Sequence, residues 1–303
     1  MRLLTIGIGL RGAKIAENFF KRGVKVNRVP LFKCFALLGD EAQMKSVAIK
    51  DDRKFYIHSK KGVLGFLNSI TKTYEIWEGA LVVFSLEDDY AFEIALEVNE
   101  RIREIFEDPI ITLPLIPTLG EVDVLELKKK LLELKKRSDV LLLYEGNVGV
   151  DEKILQSMNL LAFAGEVDLK RRVAGEVVVD TSDVFNALKS DGFSILGFAE
   201  QKIPFEILRK KSELKALRTK RMIELFDKAL ENLSISGKID DAKSSLILFT
   251  GPKEEITMEG LFEVISKVER INSEIEVRYG DCPMQSRKVS LVLLFSGIKA
   301  IKF

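Results

Sequence analysis

Apolar positions along the chain follow two different periods, and their order predicts the fold class. Short continuous apolar runs indicate buried strands, whereas apolar residues three and four positions apart indicate helices that bury one face. In the first half, predicted helices at 87–105 and 123–136 alternate with predicted strands at 3–8, 34–38, 80–84, 109–116 and 139–143. Strands that alternate with helices predict a Rossmann-like parallel sheet with helices on both faces.

The last third of the chain has a different order of elements. After a helical segment at 151–164, helices are predicted at 184–189, 213–232 and 258–270, and strands at 193–198, 244–250, 274–279 and 288–296. The turn at 280–283 predicts that the last two strands pair antiparallel. We therefore expect an α/β domain over 1–150, a central helix and loop over 151–183, and a smaller α+β domain over 184–303.

Composition narrows the classes of function. The 303 residues include 47 basic and 46 acidic side chains, so the net charge of +1 does not favour nucleic acid as a partner. The apolar runs are much shorter than the roughly 20 residues that span a bilayer. The chain ends directly after the last predicted strand, so we expect no direct membrane anchor. Two cysteines without a C-x-x-C motif, and a single histidine, predict reduced thiols, a cytoplasmic location and no metal site.

A glycine turn follows the first predicted strand. Gly7, Gly9 and Gly12 form the pattern G-x-G-x-x-G between a strand and a helix, where a phosphate group can approach the helix N-terminus. One interpretation is a nicotinamide-dependent oxidoreductase. That interpretation requires an acid about 20 residues further on to hold a ribose hydroxyl. Asp40 comes late for this role, so the motif by itself leaves the ligand open.

Longer segments carry a more specific resemblance. The stretch 175–188, followed by 194–200, resembles the catalytic-loop segment of the FtsZ/tubulin superfamily and the strand after it. Its residues resemble those of the archaeal CetZ branch most. The segments 245–251 and 289–297 match the order of that family's second domain, and Gly12 to Ala16 resembles the first nucleotide loop of the CetZ branch. The resemblance therefore covers essentially the whole chain.

This resemblance implies a GTP-binding domain, a central helix and an activation domain. It also implies that subunits stack, so that the acidic loop of one subunit completes the GTPase site of the next. The matching acids here are Asp180 and Asp183, which would polarise a water on the neighbour's γ-phosphate. A second interpretation is that Asp180 or Ser182 caps the following helix.

The resemblance also implies the residues of a nucleotide site. Gly7, Gly9, Gly12 and Lys14 correspond to the first nucleotide loop. Asn159 lies where the family reads the guanine base, and Asn147 is expected near the sugar.

The glycine-rich phosphate loop of the superfamily is missing. It should follow the predicted strand at 81–84, but the sequence continues Ser85-Leu-Glu-Asp-Asp-Tyr90, without a glycine. Glycine allows close approach of an anion, and these residues do not. The pattern Ser85-x-x-Asp88 instead predicts a capping box with Ser85 as N-cap. A phosphate about 4 Å from one of these carboxylates would meet roughly 4 kcal/mol of repulsion.

Three hypotheses about function remain. The first is a divergent FtsZ/CetZ-like protein of the cell-shape or cell-division machinery, with weak or lost GTP binding, which caps or modulates a GTP-binding relative. The second is an active GTPase that self-associates into filaments, in which Mg²⁺ and the pair Lys60 and Lys61 compensate for the missing loop. The third is the nicotinamide-dependent oxidoreductase. The cofactor is accordingly GTP or none, with Mg²⁺ only where GTP binds.

Overall fold

The computed structural model describes residues 1–71, 77–107, 109–118, 123–164, 166, 177–204 and 211–301. It divides into two compact units, Met1–Leu155 and Gln156–Lys302, and the division falls within the helix Val150–Phe163. Across the described ranges, every helix is too short or too polar to traverse a lipid bilayer. Gly175 and Glu176, which begin the segment that resembles the catalytic loop, lie outside the described residues.

The first unit contains a parallel sheet with helices packed against it, and a separate antiparallel pair of short strands within residues 25–30. Its strands are β1 (Leu3–Ile8), β2 (Lys25–Val26), β3 (Val29–Pro30), β4 (Phe32–Leu38), β5 (Lys54–Tyr56), β6 (Gly79–Ser85), β7 (Ile110–Ile116), β8 (Val140–Leu141) and β9 (Tyr144–Glu145). Its helices are α1 (Gly9–Arg22), α2 (Glu41–Ser46), α3 (Lys60–Thr71), α4 (Asp89–Ile105) and α5 (Val124–Arg137), and α6 (Val150–Phe163) begins in it.

The strand order in this sheet confirms the predicted Rossmann-like domain. The strands run β5-β4-β1-β6-β7-β8, with β9 beside the end of β7, and each of these pairings is parallel. The chain first builds the sheet from β1 towards β5 and then returns to continue from β6. The order therefore reverses between β1 and β6, and in open sheets this reversal opens a crevice beyond the carboxyl ends of the strands.

Burial explains why these segments are strands. All residues of β1 and β7 are buried, as expected for parallel strands covered on both faces. Helix α1 packs closely against β6 because Gly12 has no side chain. A β-carbon there would lie 2.1 Å from the carbonyl oxygen of Val83. Gly12 therefore serves the contact between helix and sheet.

The second unit contains a smaller sheet of four strands. Its elements are α7 (Thr181–Leu188), β10 (Phe193–Lys202), α8 (Lys211–Glu231), β11 (Ser244–Gly251), α9 (Met258–Ile271), β12 (Glu276–Pro283) and β13 (Lys288–Ile298). The strand order is β10-β13-β11-β12. The unit has the predicted α+β content, since β13 pairs antiparallel with β10 and β11, whereas β11 and β12 are parallel.

The predicted antiparallel pairing of the last two strands is wrong. Strand β11 lies between β12 and β13, and α9 provides the crossover that makes β11 and β12 parallel. The turn residues at 280–283 indicated a hairpin, but Gly280 to Pro283 are themselves part of β12 and pair with β11. Pairing with a central strand has outweighed the local turn signal.

A buried carboxylate connects α8 to the start of α9. Glu255 precedes the N-cap residue of α9 by two positions and accepts hydrogen bonds from Arg218, at 3.0 Å, and from Arg221. Arg221 and Glu255 are each almost fully buried. Removal of one partner from such a pair leaves an uncompensated buried charge, so the loss of either Arg221 or Glu255 would destabilise this contact.

A second carboxylate ties α1 to the segment after α2. Glu17 is buried on α1 and accepts hydrogen bonds from Lys14, Lys21 and the backbone N–H of Ala48. Burial by itself raises the pKa of Glu17, but the hydrogen bonds from Lys21, Ala48 and Lys14 outweigh this effect and lower it from 4.5 to about 2. The ionised form of Glu17 therefore stabilises the fold.

We expect the substitution Glu17→Gln to lower the free energy of unfolding at pH 7 by about 2–3 kcal/mol. Because the folded pKa is depressed, this stabilisation is complete above the unfolded pKa of 4.5 and is lost as the pH falls through about 2. Urea unfolding of both proteins between these pH values measures the difference. Glu263→Gln, at an exposed position on α9, is the matched control and should stay within about 0.5 kcal/mol of wild type. An equal pH dependence for wild type and Glu17→Gln would contradict the prediction.

Candidate functional site

The crevice between the carboxyl ends of β1 and β6 is the candidate site. Gly7 lies near the end of β1, Gly9 is the first residue of α1, and the turn after β6 contains Asp88. Gly9 has φ +66°, in the left-handed region, and a β-carbon there would lie 2.5 Å from Oδ2 of Asp88. The carboxylate of Asp88 therefore lies directly against the first residue of α1. This close approach requires glycine at position 9.

Asp88 also forms the N-cap of α4. Its Oδ1 accepts a hydrogen bond from the backbone N–H of Ala91 at 3.1 Å. The prediction of Ser85 as N-cap is wrong, because Ser85 is the last residue of β6 and pairs with Leu115. The N–H of the next residue, Leu86, donates to the carbonyl of Leu115 at 3.0 Å, so strand pairing extends past Ser85 and the helix begins later.

One carboxylate thus lies at the amino ends of two helices. Helix α1 has no side-chain N-cap and no acidic residue in its first turn, so its amino end has no cap of its own. A negative charge at a helix N-terminus contributes about 0.3–1 kcal/mol of stability. Asp88 supplies this charge to α4 as its cap and lies close enough to α1 to supply it there as well. A helix N-terminus is also where phosphate groups bind in other proteins.

Tyr90 connects the first turn of α4 to the segments before α2 and α3. Its hydroxyl donates a hydrogen bond to the carbonyl of Ile57 at 2.8 Å, and its ring packs against Gly39. Burial raises the pKa of Tyr90 to about 12, and the negative charge of Asp88 adds to the effect. The hydroxyl therefore remains a donor at neutral pH and holds the first turn of α4 to the segment before α3.

The residues predicted for a nucleotide site are only partly brought together. Gly7 and Gly12 approach each other closely, since a β-carbon on Gly7 would lie 2.3 Å from the carbonyl oxygen of Gly12. Lys14 is engaged elsewhere, donating to Glu17 and to the carbonyl of Ser46. Asn147 lies in the exposed turn after β9, where its carbonyl accepts from Val150.

Other predicted residues have local structural roles or lie elsewhere. Asn159 is half-buried on α6, in the second unit. Lys60 forms an ion pair with Glu93 of α4 at 2.5 Å. The carboxylate of Asp40 caps α2 by accepting from the N–H of Ala42 at 2.7 Å. Within the part of the chain that the structure describes, no group of three or more His, Cys, Asp or Glu side chains could hold a metal ion.

A small cavity of about 270 Å³ remains beside the turn after β6. It is lined by Arg11, Ser85, Glu87, Leu115, Ile116, Pro117, Thr118 and Gly146. Arg11 is held by a bidentate contact with Asp151, one bond of which measures 2.8 Å. Arg11 was not among the residues predicted for the site, although a cation within a glycine turn between a strand and a helix is a recognisable signal in the sequence. The cavity lies below the 300–1,000 Å³ that is typical of ligand sites.

The second unit positions Asp180 and Asp183 in a capping box at the start of α7. The N–H of Asp183 donates to Oδ1 of Asp180 at 2.8 Å, and the N–H of Asp180 donates to Oδ2 of Asp183 at 3.1 Å. Val177 lies shortly before α7, and its N–H donates a hydrogen bond to Oδ1 of Asp281 at 2.8 Å. The interpretation of Asp180 as a cap is confirmed. Each of the two carboxylates uses one oxygen for the cap.

A pair of glycine substitutions tests the contact between Gly9 and Asp88. We expect Gly9→Ala to destabilise the protein by at least about 2 kcal/mol, because the left-handed backbone and the contact with Asp88 both disfavour a side chain. Gly65→Ala is the control, since a β-carbon at Gly65 meets no atom within 4 Å. That substitution should be neutral or stabilising by about 0.5–1 kcal/mol. Urea unfolding measures both.

The double variant Gly9→Ala with Asp88→Ala identifies the cause. If the carboxylate is the obstructing group, its removal relieves the clash, and the double variant should lose at least about 0.5 kcal/mol less than the sum of the single variants. Strict additivity would show that Asp88 does not lie against Gly9.

Comparisons with known proteins agree with the predicted resemblance. Residues 143–302, more than half of the chain, match the family described as "Tubulin-like CetZ, C-terminal domain". Tubulin-like protein CetZ1 of Haloferax volcanii is 24% identical over an alignment of 353 residues that covers 98% of this chain and 88% of that protein.

Solved structures share the fold over the full length. CetZ1 from Haloferax volcanii, a GDP-bound monomer, aligns with a TM-score of 0.81 at 21% identity and covers 99% of this chain and 96% of its own. CetZ2 from the same organism, a GTPγS-bound protofilament, aligns with a TM-score of 0.80 at 20% identity and covers 100% and 95%. From the family match and this shared fold, we conclude that the chain belongs to the tubulin-like CetZ family.

Proposed function

We propose that this chain is a cytoskeletal member of the CetZ family that has lost GTP binding in its own first unit. It acts by associating with a GTP-loaded relative, as a cap or modulator of that relative's polymer. It works in the cytoplasm, in the machinery of cell shape or cell division. The observation that carries the proposal is the carboxylate of Asp88, which lies beside Gly9 at the point where the sheet order reverses.

The geometry of the crevice argues against a bound phosphate. A phosphate near the amino end of α1 would lie close to the Asp88 carboxylate, where repulsion at about 4 Å amounts to roughly 4 kcal/mol. The turn has little freedom to move aside, because Leu86 is buried and bonded to β7, and Lys130 holds Asp89 and the carbonyl of Leu86. The residues present therefore do not fit the phosphates of GTP.

The second unit supports the association with a relative. One oxygen of Asp180 and one of Asp183 hold the cap, and the other two make no recorded hydrogen bond with the described residues. Asp180 is exposed, so its carboxylate can reach a neighbouring subunit. The assembly of CetZ2 as a GTPγS-bound protofilament supplies a precedent for stacked subunits within the family. In this proposal Asp180 and Asp183 contribute negative charge to the nucleotide site of the relative.

The nicotinamide-dependent oxidoreductase is not favoured. The Rossmann-like strand order and the glycine turn are common to both interpretations. However, Asp40 caps α2 at 2.7 Å and so has a structural role, and the family match concerns a tubulin-like domain.

Calorimetric titration with GTP and Mg²⁺ tests the loss of nucleotide binding. We expect no detectable heat from the nucleotide-stripped protein up to millimolar GTP, a limit that corresponds to a binding free energy weaker than about −4 kcal/mol. A GTP-binding CetZ relative under the same conditions is the positive control. Micromolar binding by this chain would overturn the proposal and support the alternative of an active, self-assembling GTPase in which Mg²⁺ bridges phosphate and carboxylate.

Co-sedimentation with polymers of a GTP-loaded CetZ relative tests the association. We expect this chain to sediment with the polymer and to change its rate of GTP hydrolysis. The variant Asp180→Asn/Asp183→Asn retains side-chain oxygens that can cap α7 but removes both charges. It should therefore fold normally and reduce the effect on hydrolysis at least about tenfold, since a positioned acid or base contributes more than this.

Two outcomes of this experiment are informative about the acids. If wild type neither sediments with the polymer nor changes the rate, the proposed association is wrong. If the double variant acts like wild type, Asp180 and Asp183 serve only as the cap of α7.

A further inference from the structure

The outward side of α5 carries an unusual mixture of side chains. Leu125, Lys129, Leu132 and Lys136 recur at intervals of four, three and four residues, so they form one stripe along the helix, and Lys128 lies beside it. The side chains of Leu125 and Leu132 are 63% and 55% exposed. We call these five residues the lysine–leucine face. The opposite side of α5 is buried through Leu127, Leu131 and Leu134, so the exposed leucines are not needed to hold the helix in place.

Charge is concentrated on this helix. Six basic and two acidic residues give α5 a net charge of +4, whereas the whole chain has +1. Lys130 and Arg137 are in ion pairs with Asp89, Glu126 and Glu100. Lys128, Lys129 and Lys136 are exposed and have no ion-pair partner recorded among the described residues. The lysine–leucine face therefore presents three lysines to solvent, with one exposed acid, Glu133, beside Lys129 and Lys136.

The acids of the neighbouring helix α4 form ion pairs with cations other than Lys128, Lys129 and Lys136. Helix α4 contacts α5 and carries several glutamates. Glu97 and Glu104 are paired with Arg101, and Glu100 is paired with Arg137. Helix α4 has a net charge of −3, from five acids and two arginines, but none of these ion pairs involves the three exposed lysines of α5.

The side chains of the lysine–leucine face favour one of two kinds of partner, a second helix or a lipid surface. A partner helix would need a continuous apolar seam, with apolar residues at the positions between Leu125 and Leu132. Those positions hold Lys128 and Lys129. Two leucines surrounded by lysines suit an anionic lipid surface instead, because leucines can enter the boundary below the headgroups while lysines contact the phosphates. The long lysine stems can follow the apolar surface while their ammonium groups stay at the headgroups.

We propose that the lysine–leucine face of α5 binds peripherally to an anionic membrane surface. The expectation of no direct membrane anchor was based on the end of the chain after the last predicted strand and did not consider the distribution of charge on one helix surface. The interaction is a reversible contact of the helix surface, and it does not depend on whether the chain binds GTP.

Co-sedimentation with unilamellar vesicles tests the proposal. We expect the protein to bind vesicles that contain phosphatidylglycerol and not vesicles of phosphatidylcholine alone. Binding should decrease strongly between about 0.1 M and 1 M salt, because the Debye length falls from about 10 Å to 3 Å. Each lysine near an anionic surface contributes about fivefold in affinity, so Lys128→Gln/Lys129→Gln/Lys136→Gln should weaken binding roughly a hundredfold.

Matched variants test whether vesicle binding depends on the lysine–leucine face or only on the total charge of the protein. The control Lys25→Gln/Lys61→Gln/Lys253→Gln changes the net charge equally at exposed lysines outside α5 and should bind like wild type. Leu125→Gln/Leu132→Gln keeps the charge and should nevertheless lose binding. The substituted residues are exposed, so thermal unfolding of each variant should match wild type.

Three results would overturn the assignment. One is equal binding to neutral and anionic vesicles. Another is equal binding by the α5 and control triple variants. The third is binding to immobilised polyglutamate with none to vesicles, which would assign the face to an acidic protein partner instead.

Discussion

The contact between the Asp88 carboxylate and Gly9 is the constraint on which the interpretation of this protein depends. It lies where the sheet order reverses, the position at which related α/β folds bind their ligands. Two helices point their amino ends towards ligands at such a site. Here a carboxylate from the chain itself caps one helix and lies against the first residue of the other. A carboxylate of the chain itself therefore occupies this part of the crevice.

The segments around this contact reinforce it. The turn after β6 is bonded to β7 through Leu86, and Tyr90 connects the first turn of α4 to Ile57. Lys14 and Glu17 connect α1 to the segment after α2. Each of these side chains stabilises the first unit, and none is left to hold a phosphate. By contrast, the acids of the second unit lie in an exposed turn, and half of their oxygens are free of the cap. The first unit thus lacks the glycine-rich loop of the superfamily, and the second unit keeps the two acids that we propose act on a neighbour's nucleotide.

Charge is distributed unevenly among the helices of this protein. The total of +1 conceals a helix of +4, and the remainder of the chain is correspondingly acidic. Ion pairs account for most of the charges on α4, and so the lysine–leucine face of α5 stands out against its surroundings. A member of this family that contacts a lipid surface through one helix, and a polymer through another unit, could connect the two.

The sequence by itself determined the local elements. Periodicity located most of the long strands and helices of both units but missed α2, α3 and β5. Sequence motifs identified the family, and Asp180 was correctly considered as a helix cap. These features depend on residues a few positions apart.

Only the tertiary structure decided which strands are neighbours, and so the hairpin predicted for β12 and β13 was wrong. The cap of α4 also moved from Ser85 to Asp88, because pairing with β7 extends the strand. The contacts of Asp88 with Gly9 and of Arg11 with Asp151 join distant parts of the chain. Such contacts leave no periodic signal, because they arise only when the sheet brings the ends of its strands together.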